Sequence, residues 1–184
     1  MRIGIISDIH DHLHNLQPAI SLLGSETELL LCCGDLCSPF VMDELKKYPG
    51  PVHIVFGNND ADLFRITRKS DNRVQVHGEF LELDLDGFRI AVNHFDNMAA
   101  PIAKSELYDL VCFGHNHRCS LTKYGKTTAL NPGTLMGSAF GPAGCERVPA
   151  TFAIFETRVL EASLFSVEDG KCIQAAGLES QPST

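Results

Sequence analysis

The opening of the chain sets the condition that the rest must satisfy. Ile3 to Ser7 is a short apolar, largely β-branched run with no polar alternation, and the sequence turns polar at once from Asp8 to His14. A strand apolar on both faces has to be covered on both faces, which predicts the central strand of a layered α/β structure. The following segments repeat the theme. Leu16, Ile20 and Leu23 recur at helical spacing with Gly24 placed to stop the helix, Glu28 to Cys33 is a second apolar strand, Phe40 to Tyr48 reads as a helix ended by Pro49, and Val52 to Phe56 is a third strand. Strand, helix, strand, helix, strand implies a parallel sheet.

The second half changes pattern. Leu81, Leu83 and Leu85 alternate with acidic residues up to Asp86-Gly87, and Phe88 to Asn93 then completes a hairpin. Leu110 to Phe113 is a short buried strand. Ser120 to Tyr124 and Lys126 to Leu130 flank Gly125 as another hairpin, and Thr151 to Glu156 with Val159 to Ser166 make a third. The expected fold class is therefore α/β: two packed sheets, parallel in the first half and more antiparallel in the second, with helices outside. Gly137 to Gly144 is expected to be a Gly-rich loop. Residues 1–176 read as one domain, with no repeat or linker, and a tail over 177–184 that has little to bury and is expected to fray.

Composition narrows the classes of function. A length of 184 residues suits one domain that buries about 70% of the surface its unfolded chain exposes, without disulfide or metal staples. Fifteen Lys+Arg against 23 Asp+Glu give a net charge of −8, which argues against long nucleic acids and anionic membranes as partners. Seven Cys, an odd number with no C-x-x-C pair, suggest reduced thiols; Cys32, Cys33 and Cys112 fall in apolar runs where Cys packs as a small hydrophobe. The N-terminal apolar stretch is too short for a signal peptide, and no run approaches the roughly 18–20 residues of a membrane span, so a cytoplasmic location is the expectation.

Nearly every core strand ends in a residue able to bind metal: Asp8 and His10, then Asp35, Asn58, His94, and His115 with His117. The separations of 27, 23, 36 and 21 residues each match one excursion from a sheet and back. Beyond the carboxyl ends of parallel strands such residues converge. Taken singly each has a plainer reading. Asp8-x-His10 suits a capping turn with Asp11 or Asn15 as the cap, Gly34-Asp35 and Gly57-Asn58-Asn59-Asp60 carry turn chemistry, and a lone His94 fits a core-edge histidine. Two imidazoles at i and i+2 after a buried strand, in Gly114-His115-Asn116-His117, are harder to explain by packing.

Asp8-x-His10, Gly34-Asp35, Gly57-Asn58-x-Asp60, His94 and Gly114-His115-x-His117 resemble the five ordered motifs of the calcineurin-like metallophosphoesterases, in particular their small stand-alone bacterial and archaeal phosphodiesterases. Asn131-Pro132-Gly133-Thr134 extends the resemblance to about residue 135. The resemblance implies a four-layer α/β sandwich, two mixed β-sheets flanked by helices, with two divalent metal ions at the strand ends. Asp8, His10, Asp35 and His117 would hold one ion. Asp35, Asn58, His94 and His115 would hold the other. Mixed carboxylate and imidazole ligands suit Mn²⁺, the expected metal, with Fe, Zn, Ni or Co as alternatives. The implied activity is hydrolysis of a small or nucleotide-like phosphodiester by attack of a metal-bridging hydroxide, with Asp35, Asn58 and His94 as the catalytic set. A homodimer is an open expectation.

One position departs from the family pattern. Where many relatives carry a His that assists the leaving group, or a Cys, this chain has Asn59, which cannot donate a proton at useful pH. Activated leaving groups are therefore expected, with Asp60 orienting the loop. His12 and His14 lie near the same edge, either as substrate contacts or the source of the missing acid, or as solvent-exposed loop residues. The competing reading is a non-catalytic scaffold of the same fold, resembling the retromer subunit.

Overall fold

Ile3 and Ile5 point to one side of the first strand and Ile6 to the other, and all three are completely buried. The strand is therefore covered on both faces, as the absence of alternation requires. The structure is a computed structural model that describes residues 1–176; the tail expected to fray lies outside the described residues. In chain order it comprises β1 (Arg2–Ile6), α1 (Leu13–Glu26), β2 (Leu29–Cys32), α2 (Phe40–Leu45), β3 (Val52–Ile54), α3 (Leu63–Arg68) and β4 (Val74–Val76). There follow β5 (Phe80–Leu85), β6 (Phe88–Asn93), α4 (Asp96–Lys104), β7 (Leu110–Cys112), β8 (Ser120–Tyr124) and β9 (Thr127–Asn131). The chain continues through β10 (Ser138–Gly141), β11 (Gly144–Arg147), β12 (Thr151–Glu156), β13 (Glu161–Ser166) and β14 (Cys172–Ala176).

These form a seven-stranded sheet of order β14-β13-β12-β1-β2-β3-β4 and a five-stranded sheet of order β5-β6-β7-β9-β8. In the first, β1 to β4 are parallel and β12 to β14 antiparallel. In the second, β6, β7 and β9 are parallel while β5 and β8 close the edges antiparallel. The second half is thus more parallel than its hairpin signals suggested. Three apolar clusters define four layers. Helices α1 to α3 pack on the outer face of the large sheet through Leu16, Leu23, Met42 and Ile66. The two sheets meet through Ile3, Ile5, Leu31, Ile90, Leu110 and Phe155. Helix α4 covers the small sheet with Ala99 and Ala103. Cys32, Cys33 and Cys112 are buried in these layers as packing residues.

Several local expectations are corrected. Gly24 does not stop α1, which runs to Glu26 with Thr27 as C-cap. A Cβ at Gly24 would lie 2.9 Å from Pro49 Cδ, so this glycine permits close approach of α1 to the α2–β3 loop. The N-cap is His12, without a side-chain cap bond; Asp11 instead accepts from the Ser38 amide and hydroxyl, and Asn15 donates to the Leu135 carbonyl. Helix α2 is shorter than expected, ending at Leu45. Residues 137–144 are not a bare loop but the first strand and turn of a separate two-stranded sheet, β10-β11. No helix among the described residues is long and apolar enough to cross a membrane.

His53 on β3 and His77 just after β4 share a 2.8 Å contact between Nδ1 and Nε2. Burial holds both imidazoles below their ordinary pKa, and at His53 the neighbouring ring adds to it. Both rings are therefore neutral in the fold at neutral pH. Below about pH 6.5 the unfolded chain takes up these protons first, so the pair's contribution is fully present above that pH and is lost on acidification. In urea titrations from pH 7.5 to 5, H77Q should lose less stability than the wild type, by under about 1 kcal/mol because both rings are partly screened by solvent.

Candidate metal centre

The strands β1, β2 and β3 of one sheet and β6 and β7 of the other all release their chains at the same edge of the sandwich. The loops remain hydrogen-bonded as they leave. The Asp8 amide donates to the Gly34 carbonyl at 3.1 Å, those of Ile9 and His10 to Asp35 at 2.9 Å, and that of Gly114 to His94 at 2.9 Å. The His115 amide joins the sheets by donating to the Asp8 carboxylate, 3.0 Å from Oδ2 and 3.2 Å from Oδ1. Asp8, His10, Asp35, His115 and His117 all adopt positive φ, a conformation that Asp and His tolerate better than β-branched residues.

All seven predicted ligands converge. Asp8, His10, Asp35 and His117 each offer one ligand atom, and these lie within 4.8 Å of one another. His10 Nε2 is 3.1 Å from His117 Nε2, and His117 Nε2 is 3.3 Å from Asp8 Oδ1. The second group adjoins it. His94 Nε2 is 3.0 Å from Asn58 Oδ1 and 3.3 Å from His115 Nδ1. Asp35 Oδ2 belongs to both, lying 3.4 Å from His10 Nε2 and 3.4 Å from His94 Nε2. Asp8, Asp35, His94 and His117 are buried, whereas Asn58 and His115 are exposed, so the cluster opens to solvent on the second group's side.

Two backbone carbonyls, which no sequence pattern marks, set the imidazoles. His94 Nδ1 contacts Cys33 O at 2.8 Å and His117 Nδ1 contacts Ser138 O at 2.6 Å. A carbonyl only accepts, so each ring keeps its proton on Nδ1 and turns the Nε2 lone pair into the cluster. There those lone pairs face other acceptors: a second imidazole, carboxylate oxygens and the Asn58 amide oxygen. Such a ring of inward-facing acceptors is satisfied by a cation, and the mixture of nitrogen and oxygen donors without thiolate fits a divalent transition metal.

The electrostatics agree. Burial disfavours the Asp8 carboxylate, but hydrogen bonds with His10 and His117 outweigh it and hold the group well below the usual carboxylate range. Asp35 is likewise held low, burial being overcome by His94 and Asn59. Burial would lower His94 and His117, yet Asp35 for the first and Asp8 for the second raise them by favouring a second proton, on Nε2, which a bound cation would displace. The carboxylates are thus ionised and ready to bind cations.

Asn59 grips Asp35, its amide donating to Oδ1 and its side chain to Oδ2, both at 2.8 Å. Asp60 ties two strand-end loops together by accepting from the amides of Asp35, Leu36, Cys37 and Gly57 at 2.7–3.1 Å. His12 and His14 stay outside the cluster, exposed in an adjoining groove. Sequence reasoning missed Thr134 as a support of Asp8, whose carbonyl its hydroxyl bonds at 2.8 Å, and it missed Phe95 and Phe140, whose rings meet His94 and His117 edge-on.

Comparison with known proteins places this arrangement. Residues 1–159 match the profile described as the calcineurin-like phosphoesterase superfamily domain. A phosphodiesterase of Methanocaldococcus jannaschii is 32% identical over 146 residues, covering 77% of this chain and 88% of that protein. The structure described as a novel archaeal phosphodiesterase superposes with a TM-score of 0.79 at 27% identity, covering 90% of this chain and 99% of that one. Zinc-complexed Vps29 from Entamoeba histolytica shares the fold, with a TM-score of 0.67 at 19% identity over 96% and 97% of the two chains.

Gly114 has no room for a side chain. A Cβ there would lie 1.9 Å from Ser7 Oγ and 2.6 Å from Asp8 Oδ2. Gly114→Ala should therefore destabilise the protein by about 1–3 kcal/mol, read as a lower urea midpoint at unchanged slope.

Proposed function

Because the chain belongs to the calcineurin-like phosphoesterase superfamily, we propose that its strand-end cluster is the active site of a metal-dependent phosphodiesterase acting on small or nucleotide-like diesters. The observation that carries this reading is the position of Asp35 Oδ2, 3.4 Å from a ring nitrogen of each ligand group, which lets one carboxylate serve two ions. Asp8, His10, Asp35 and His117 would hold one ion, and Asp35, Asn58, His94 and His115 the other, expected to be Mn²⁺. Divalent metal supplies positive charge for the phosphoryl oxygens and an acidified water as nucleophile.

The chain's own residues do the rest. The carbonyls of Cys33 and Ser138 fix His94 and His117, so the ligand atoms need no rearrangement on binding. Asn59 keeps the Asp35 carboxylate in one orientation. Exposed Asn58 and His115 mark the side from which a diester enters. Asn59 stands beside that opening with no acidic proton, so leaving groups that depart as stable anions are favoured.

The competing scaffold reading shares the fold, and zinc-complexed Vps29 shows that a fold relative binds metal. Turnover, not metal content, separates the two. With Mn²⁺ and bis(p-nitrophenyl) phosphate, D35A and H94A should each lose about 100-fold or more in kcat, on the scale of removing a group that stabilises developing charge. Full activity in both variants, or turnover after chelation, would overturn the two-metal mechanism; two bound Mn²⁺ without turnover would favour the scaffold. N59H should raise kcat/KM for an alkyl diester relative to an aryl one by about 10-fold or more, since imidazole can protonate a poor leaving group. An unchanged ratio would remove Asn59 from the account.

A further inference from the structure

The β10-β11 hairpin belongs to neither large sheet, yet it is rooted on the candidate centre. Ser138, its first residue, accepts the hydrogen bond that orients His117. Two residues on, Phe140 is 63% exposed. Its ring stands edge-on to His117, with centroids 5.8 Å apart and planes at 74°. Ala139 between them is completely buried, so the hairpin has an inner face that is packed and an outer face that presents Phe140.

Strand pairing shows what shares that outer face. Ser138 is opposite Arg147 and Phe140 is opposite Cys145, and cross-strand partners project to the same side. Arg147 is therefore diagonal to Phe140 on one surface. It also lines a groove with His12, His14, Asn15, Met136 and Glu168. That groove adjoins the candidate centre, for the Met136 amide bonds the Asp8 carbonyl at 3.1 Å and His12 lies two residues beyond His10. Arg147 forms no ion pair among the described residues, whereas the neighbouring Arg118 is occupied by Glu146.

An exposed π-face, an unpaired guanidinium and two imidazoles beside a phosphoryl-binding centre match the parts of a nucleotide. We propose that the outer face of the β10-β11 hairpin is the base subsite of this phosphodiesterase: Phe140 stacks a nucleobase of the diester, and Arg147 donates hydrogen bonds to the base edge. The proposal rests on the phosphodiesterase reading and narrows it from small diesters in general to nucleotidyl ones.

Equilibrium binding tests it without relying on turnover. With Mn²⁺-loaded protein, calorimetry should show AMP binding about 10-fold or more tighter than ribose 5-phosphate, the scale expected of one stacked base. F140L keeps bulk against His117 but lacks the π-face, so the ratio of AMP to ribose 5-phosphate affinity should fall to about one, whatever its effect on either affinity alone; F140W should retain the ratio, and R147Q should lose part of it. Equal affinities in the wild type, or a preference that survives F140L, would overturn the base subsite while leaving diester hydrolysis intact. Failure of the wild type both to bind either phosphate and to hydrolyse bis(p-nitrophenyl) phosphate would instead overturn the functional reading, and the subsite with it.

Discussion

The Asp8 carboxylate is completely buried, and an ionised group in that position costs several kcal/mol unless its oxygens are satisfied. Three separate segments meet to satisfy and place it. The loop after β2 receives its amide, the loop after β7 donates the His115 amide to its oxygens, the segment after β9 holds its carbonyl through Thr134 and Met136, and His117 faces it at 3.3 Å. The two sheets are thus bonded to each other at their carboxyl edge through one acidic side chain. A neutral residue there would leave the amide of His115 and the rings of His10 and His117 without their common anchor.

The strand ends around it are conformationally costly. Among the described residues, seven of the eleven non-glycine residues at positive φ are Asp8, His10, Asp11, Asp35, Cys37, His115 and His117. Each such residue is disfavoured by roughly 1–2 kcal/mol, and their concentration at one edge is what a preorganised site looks like. The compensation is visible in the same loops. Asp60 accepts from four amides, including those of Asp35 and Cys37, and Asp11 accepts twice from Ser38.

Much of this was legible in the sequence because the site is built from strand ends, and buried strands announce themselves as uninterrupted apolar runs. Asp8, Asp35, His94 and His115 each follow such a run closely, so locating the strand located the residue that the fold brings to the cluster. What was not legible has weaker physical signals. Helix α4 buries only small residues, Ala99 and Ala103, and carries Pro101 internally, which blurs its apolar stripe. Strand β4 is three residues long, and the β10-β11 hairpin is Gly-rich and mostly exposed, so burial imposes no alternation on it. The carbonyls of Cys33 and Ser138 that orient His94 and His117 belong to the backbone, which every residue shares. Asn59 shows the converse. Its side-chain type suggested a missing acid, and only the coordinates reveal its grip on Asp35.

The position of β1 has a consequence for how the chain is made. It lies between β2, which pairs with it 26 residues later, and β12, whose Glu156 is registered against Arg2. Synthesis at about 5–20 residues per second puts roughly 7–30 s between the emergence of these partners. Throughout that interval β1 is an edge strand with unpaired amides and carbonyls, and the large sheet is open at its centre. A strand that is buried from Ile3 to Ile6 in the finished fold therefore passes through a long vulnerable stage on the ribosome. Its closure by β12 comes only after every residue of the strand-end cluster has been synthesised.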